Sequence, residues 1–348
     1  MRSRYSLCAS DLLLCVDWRR GEGASLEYGR LVPLPLSLAR VLCPVIGLAA
    51  LPIMFVGCRK APAFTEPLVR CAAGTKAPVE LELEQALPVD GGVGFQPSGL
   101  YLSSGRLLMV SDKHDDAVFE LSLQSSRAVA RPIVKFHAPG GEALDLEGLT
   151  GGEGGALLLA SEAQSRILVV SPSGTATWST PSLEEAGQKQ GLFQKRNAGI
   201  EGVAKMGNQL VIAAEREPRG LLEATDGSDG NVLAYRLPSA ACASRVGRPD
   251  DIADLSVAGG ELYALERNAH LVVRLTRVDG RFREAGSWSY AVTENDARYR
   301  YPDRAFGLAE GLALDEEHVY IVLDNNGQPR ESAKDDHRAV LFVFQRPR

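Results

Sequence analysis

Short apolar runs recur along the chain, each bounded by glycine or a turn and closed by an acid. The pattern reads PSGLYLSSGRLLMVSD at 97–112 and LEGLTGGEGGALLLASE at 146–162. It returns as IEGVAKMGNQLVIAAE at 200–215, IADLSVAGGELYALE at 252–266 and AEGLALDEEHVYIVLD at 309–324. Aligned on Gly99, Gly148, Gly202, Asp254 and Gly311, the copies are spaced 49, 54, 52 and 57 residues apart. The runs are short and β-branched or glycine-bounded, and they lack the 3.6-residue period of a helix. Runs such as LLLAS and LVIAA, apolar at every position, fit strands covered on both faces.

Each copy continues into a further strand: AVFELSL, RILVVSP, NVLAYRL, HLVVRLT and AVLFVF. More polar segments such as RAVARPIVKF and TATWSTP follow in most copies. Four short antiparallel strands in each unit of about 50 residues are the signature of a propeller blade. The expected fold is therefore all-β, a β-propeller of five blades, with six as the alternative if one copy is degenerate. The fifth copy has only three strands after Ala309. The segment Pro78–Glu84 (PVELELE) alternates apolar and acidic residues, as a half-exposed edge strand does. It is predicted to complete the last blade, joining the two ends of the chain and removing an open edge.

Composition adds an address. The 348 residues are 45% hydrophobic, enough for a sizeable core, and the net charge of −6 excludes a general nucleic-acid binder. Residues 41–57 (VLCPVIGLAALPIMFVG) form an uncharged apolar run, short for a membrane span but suited to a signal peptide. Phe55-Val56-Gly57-Cys58 resembles a bacterial lipobox, with Phe55 where that motif prefers Leu. Residues 1–57 are thus expected to be a leader and Cys58 a lipidation site. Residues 58–77 read as a tether, and 78–348 as the propeller. A single uncleaved anchor is the alternative, and a true start near Val32 to Leu38 would explain residues 1–39, which are long for a signal peptide and carry four acids. Either way a monomer tethered to a bacterial envelope, at the outer membrane or periplasm, is expected. Beyond the leader and Cys58 only Cys71 and Cys242 remain, and the sequence leaves open whether they pair or stay as thiols.

Candidate chemistry lies in acids at a constant interval. Glu147 and Glu162 are 15 apart, Glu201 and Glu215 are 14 apart, and Glu310 and Asp324 are 14 apart. Ser98 takes the leading place before Asp112. In the fourth copy Asp251 lies 15 before Glu266, while the apolar alignment favours Asp254. Equivalent positions sit at equal height round a ring, so the leading acids are expected to face the central channel and the closing acids its mouth. Converging carboxylates raise one another's pKa and call for a cation, basic side chains or solvation. Oxygen ligands suit Ca²⁺ or Mg²⁺. Asp112, Glu162, Glu215, Glu266 and Asp324 are the candidate metal ligands. Arg216, Arg219 and Arg267 are candidates for binding an anionic ligand. A water-filled tunnel mouth lined by solvated acids is the plainer alternative.

The repeated EGL/EGV–strand–acid unit, with Asn197-Ala198-Gly199-Ile200-Glu201-Gly202 and the E-x-E-P-x-G-L segment at Glu215–Leu221, resembles two related propeller families. These are the SdiA-regulated family and the "esterase-like activity of phytase" family of bacterial envelope proteins. The resemblance runs from about residue 90 to the end. It implies a calcium-associated propeller, with hydrolysis of phosphate or other esters suggested by the family name. Carried over by position, Glu147, Glu201 and Glu310 face the channel and are the candidate catalytic carboxylates. Ser98 lacks the acid, and the fourth copy lacks the Glu-Gly pair.

The sequence contains no G-x-S-x-G, S-x-x-K, H-E-x-x-H, P-loop or Cys/His metal pattern. Two functions follow as expectations. The first is a non-catalytic propeller that binds a small molecule or a partner protein at the channel mouth. The second is a Ca²⁺-dependent ester hydrolase in which a carboxylate such as Glu201 activates water.

Overall fold

The computed structural model describes residues 68–92, 94–225, 231–302 and 305–348. The leader and the lipobox lie outside the described residues, and no described helix is long and apolar enough to cross a membrane. An opening strand β1 (Val69–Cys71) is followed by β2 (Val79–Glu80) and β3 (Glu82–Asp90). The first repeat gives β4 (Pro97–Ser103), β5 (Arg106–Ser111), β6 (Ala117–Leu123) and β7 (Ala128–Lys135). The second gives β8 (Leu146–Gly151), β9 (Leu157–Ser161), β10 (Arg166–Val170) and β11 (Ala176–Trp178). The third gives β12 (Ile200–Met206), β13 (Gln209–Ala214), β14 (Gly220–Thr225) and β15 (Leu233–Arg236), with β16 (Cys242–Ser244) in the connection that follows. The fourth gives β17 (Ile252–Ala258), β18 (Glu261–Glu266), β19 (Leu271–Val278) and β20 (Arg281–Ser289). The fifth gives β21 (Ala309–Leu314), β22 (His318–Leu323) and β23 (Val340–Gln345).

Within each repeat the strands pair antiparallel in chain order, and β3 pairs antiparallel with β23 to complete the fifth sheet. The closing strand is shifted from its expected place. It runs over Glu82–Asp90, whereas Val79 and Glu80 lie parallel to the outer strand β20. In the third repeat NVLAYRL holds the fourth strand, because Gly220–Thr225 supplies the third.

Successive side chains on a strand point to opposite faces, which is why these strands are apolar throughout. On β5, Leu107 and Met109 pack with the fifth repeat (Val322, Leu341), while Leu108 and Val110 pack with the second (Leu149, Leu159). Three more clusters of this kind fill the spaces between the second and third, third and fourth, and fourth and fifth repeats. The sheets therefore follow one another round a ring, with the first strand of each repeat innermost: the fold is a β-propeller.

The Glu-Gly pair has a structural cause at the axis. Each first strand carries a register shift at its start, at Ser98 in β4, Glu147 in β8, Glu201–Gly202 in β12, Ala253 in β17 and Glu310 in β21. Such a bulge re-aims the side chain at that position. The residue that follows meets the neighbouring first strand. A Cβ on Gly148 would stand 2.8 Å from the Glu201 carbonyl oxygen and from Gly202 Cα, and one on Gly202 would stand 2.3 Å from Leu255 N. Only glycine allows that approach. The fourth repeat has Asp254 there, fully buried, and its Oδ2 accepts from Leu100 N (3.2 Å) and Leu312 N (2.7 Å) on β4 and β21. Its Oδ1 accepts from Leu255 N at 2.8 Å. The side chain reaches across the axis and ties the fourth repeat to the first and the fifth.

Candidate functional site

The pocket lies at the ring axis, where first strands begin and second strands end. It has a volume of about 210 Å³. The bulged position of each first strand contributes Ser98, Glu147, Glu201 and Glu310, with Ala253 at the corresponding place in the fourth repeat. The residue after each second strand contributes Asp112, Glu162, Glu215 and Asp324. At that place the fourth repeat has Arg267, not Glu266. Ile252 pairs with Glu266 as Ile200 pairs with Ala214, so the residue equivalent to Glu215 is one further on. The backbone agrees, since the N–H groups of Glu162, Glu215, Arg267 and Asp324 donate to the carbonyls of Asp145, Gly199, Asp251 and Leu308. Arg216 and Asn197 complete the polar wall.

Ten candidate residues thus converge on one cavity: Asp112, Glu147, Glu162, Glu201, Glu215, Glu310, Asp324, Arg216 and Arg267, with Ser98 in the place of the missing acid. Glu266 and Arg219 do not line it. Glu266 is a strand residue facing the other way from Arg267, and it forms a buried ion pair with Arg219. Arg219 also binds Glu284 and donates to the Pro238 carbonyl at 2.9 Å. That cluster joins the third and fourth repeats. Asp251, the other acid weighed in the fourth repeat, is buried beside the pocket, its Oδ2 3.1 Å from Arg267 Nε.

The charges divide the cavity. Arg267 donates to Glu310 and Glu215, and Arg216 pairs with Glu215 and donates to the Asn197 carbonyl at 2.6 Å. Asn197 has φ +55°, a left-handed conformation that Asn adopts more readily than most residues. Asp112, Asp145, Glu147, Glu162 and Asp324 gather on the other side, where Lys113 pairs with Asp112. Burial, then Glu310 and Glu162, push the Glu147 carboxyl well above its usual range. Burial, then Glu147, do the same to Glu201. Glu310 is pushed up to about 8 by burial, against the opposing Arg267. Burial raises Asp324 to about 6 and also raises Glu162, which accepts from Gly199 N at 2.9 Å. Burial opposes the charge on Arg267, but Glu310, Asp251 and Glu201 hold its pKa well above the usual value.

Two groups of carboxylates meet closely enough to share an ion. Asp145, Glu147 and Glu162 each offer an oxygen within 4.8 Å of the others, as do Glu162, Glu201 and Glu215. Asp145 was not expected from the sequence, because it lies outside the repeated unit; its place two residues before Glu147 is the only signal. The donor chemistry fits a hard divalent cation. Two buried carboxylate oxygens, Glu215 Oε2 and Asp112 Oδ1, also have no hydrogen-bond partner.

A β-propeller with an acidic, guanidinium-bridged axial pocket is the class these features define. The chain belongs to the phytase-like family described as "esterase-like activity of phytase", whose model matches residues 93–327. No curated protein matches it. Solved structures similar to it include virginiamycin B lyase from Staphylococcus aureus, at 15% identity over 77% of this chain and 75% of that one, with a TM-score of 0.38. Glutaminyl cyclase from Myxococcus xanthus matches at 16% identity over 78% of this chain and 100% of that one, with a TM-score of 0.47. The PQQ-bound aldose sugar dehydrogenase from Streptomyces coelicolor matches at 14% identity over 77% and 98%, with a TM-score of 0.44. The chemistry of those proteins is not carried over to this chain.

Proposed function

We propose that the protein binds a divalent cation, Ca²⁺ by preference, in the axial pocket and through it holds a small anionic ligand, as a lipid-anchored component of a bacterial cell envelope. The observation that carries the reading is Glu215. Its Oε1 is taken by Arg216 and Arg267, its Oε2 is buried without a partner, and the side chain lies within ligand reach of Glu162 and Glu201. A buried carboxylate oxygen left unpaired costs about 1–3 kcal/mol or more, and a cation held by Glu162, Glu201 and Glu215 would remove that cost. When bound, such an ion supplies positive charge and polarises a phosphoryl or carbonyl oxygen. Arg216, on the pocket wall beneath Phe306 at 5.3 Å, is placed to orient the anionic end of the ligand. The Cys71–Cys242 disulfide supports an oxidising compartment, in keeping with the leader and with Cys58 as lipid site. Thermal unfolding with Ca²⁺, and again with chelator, tests the reading: a ligand of the native state must raise the midpoint.

Hydrolysis of a phosphate or other ester is the second reading, favoured by the family and by Glu310. A carboxyl with a pKa of about 8 is protonated at neutral pH, so it can donate to a leaving-group oxygen. An ester screen of the protein and of Glu310→Gln, in Ca²⁺, tests this: turnover that falls with the substitution supports it, and absence of turnover removes it.

A further inference from the structure

A second cavity adjoins the axial pocket. It has a volume of about 270 Å³, and Glu162 and Asn197 line both. Much of its wall comes from the connection between β11 and β12, residues 179–199, which carries a short helix α1 (Glu184–Lys189).

That connection is fixed to the ring at several points. Leu183 and Leu192 are fully buried in the core between the second and third repeats, and Arg236 Nε donates to the Gln190 carbonyl at 2.9 Å. Next to Leu192, Phe193 lines the cavity with φ +56°, a conformation rare for a bulky residue. Its ring is seated against Gly187 of α1, where a Cβ would stand 2.1 Å from Phe193 Cε2. Strain of this kind persists only where the surroundings hold it, and it gathers at ligand-binding segments. The outcome is an aromatic ring held in a set place on a cavity that continues the axial pocket.

The other lining groups restrict what can lie beside that ring. Asp145, Glu162 and Glu184 stand against one base, Lys195, whose Nζ is 3.6 Å from Glu217 Oε1. A second phosphate would meet three carboxylates, and an ammonium group would meet Lys195. Carboxylates only accept hydrogen bonds and an ammonium only donates them, whereas a hydroxyl does both and suits either. Ser165 and Asn197 add neutral polar groups. An aromatic side chain with a few convergent polar groups is the lining of a small-molecule site. A sugar ring matches it, with C–H faces for the phenyl ring and hydroxyls at its edge for the polar groups.

We propose that the second cavity binds the body of the axial ligand and that this body is an uncharged, hydroxyl-bearing ring. The ligand is then a sugar monophosphate, with its phosphate in the axial pocket and its ring on Phe193. The proposal rests on the reading of the axial pocket as a cation-dependent anion site, and it excludes a ligand with further phosphates on the ring.

The test is isothermal titration of the full chain in saturating Ca²⁺ with methyl phosphate, glucose 1-phosphate, glucose 1,6-bisphosphate and phosphocholine. Methyl phosphate reads the axial pocket alone. Glucose 1-phosphate is expected to bind about tenfold tighter than any of the other three, and Phe193→Ala and Ala163→Trp are each expected to remove that advantage while leaving methyl phosphate unchanged. Ala163 lines the cavity and is exposed, so the larger side chain fills the space without entering the core and decides the matter should Phe193→Ala fail to fold. Glucose 1-phosphate binding no tighter than methyl phosphate, an advantage that Ala163→Trp leaves intact, or tighter binding of the bisphosphate or of phosphocholine overturns the proposal and leaves the axial site standing. Failure of all four to bind removes the anion site and the proposal with it.

Discussion

Arg267 of the fourth repeat donates to Glu310 of the fifth, and the same guanidinium reaches Glu215 of the third. One cation, standing where the other repeats have an acid, therefore ties three sheets together at the axis. Its removal leaves Glu310, Glu215 and Asp251 facing one another in a buried setting. Breaking a buried ion network in this way costs about 3–5 kcal/mol. Arg267→Met is expected to lose that much stability at pH 8 in denaturant titration. The loss should shrink towards pH 5, where the stranded carboxyls protonate.

The raised carboxyls set a pH dependence of their own. Glu310 moves from 4.5 to about 8, and Asp324 from 3.8 to about 6. The folded state therefore keeps protons that the unfolded chain releases. Stability from this source is complete below about pH 4 and is lost as pH rises through 6 and then 8. In chelator, the free energy of unfolding is expected to fall between pH 5 and pH 8. Saturating Ca²⁺ is expected to flatten that slope, because a bound ion takes over from the protons. A free energy that rises with pH in chelator would contradict the assigned protonation.

Asp254 reaches across the axis to the first and fifth repeats. Asp254→Ala strands the N–H groups of Leu100 and Leu312, at about 1–3 kcal/mol each. Asp254→Asn keeps an acceptor and is expected to cost markedly less. Equilibrium unfolding of the two variants checks the order.

Gly202 is expected to tolerate no side chain, since its Cβ would lie 2.3 Å from Leu255 N and 2.6 Å from Asp254 Cα, both backbone atoms. Gly202→Ala should therefore destabilise by about 1–3 kcal/mol or more, as overpacking does. Gly207→Ala, in a turn with nothing within 4 Å but with φ +63°, serves as the control for conformational strain alone.

Much of this was legible in the sequence because the repeat imposes two periods at once. Strands buried on both faces read as unbroken apolar runs, so Leu107–Val110 and Leu210–Ala214 stand out without any helical signal. The acids at 14- and 15-residue intervals mark one ring of side chains because each repeat returns to the axis at the same height. The fourth repeat was not legible, for a physical reason. Acids stand at 251, 254 and 266, so several registers satisfy a search for carboxylates. The residue that fills the ring position is a base. Aligning Leu262 with Leu210 places Arg267 opposite Glu215, and that apolar register was the available signal. The displaced closing strand has a similar origin. Val79-Glu80 and Glu82–Asp90 both alternate, and only the partners at their two edges, β20 and β23, decide which completes the fifth sheet.

The claim that matters most is that the carboxylates of the axial pocket hold a cation. Isothermal titration calorimetry of Ca²⁺ into the full chain, repeated on Glu162→Gln and Glu201→Gln, measures it directly. Saturable binding is expected for the parent protein, tighter at pH 8 than at pH 6 because protons must leave, and at least tenfold weaker in either variant. No heat of binding at pH 8, or binding that both substitutions leave unchanged, would contradict the account.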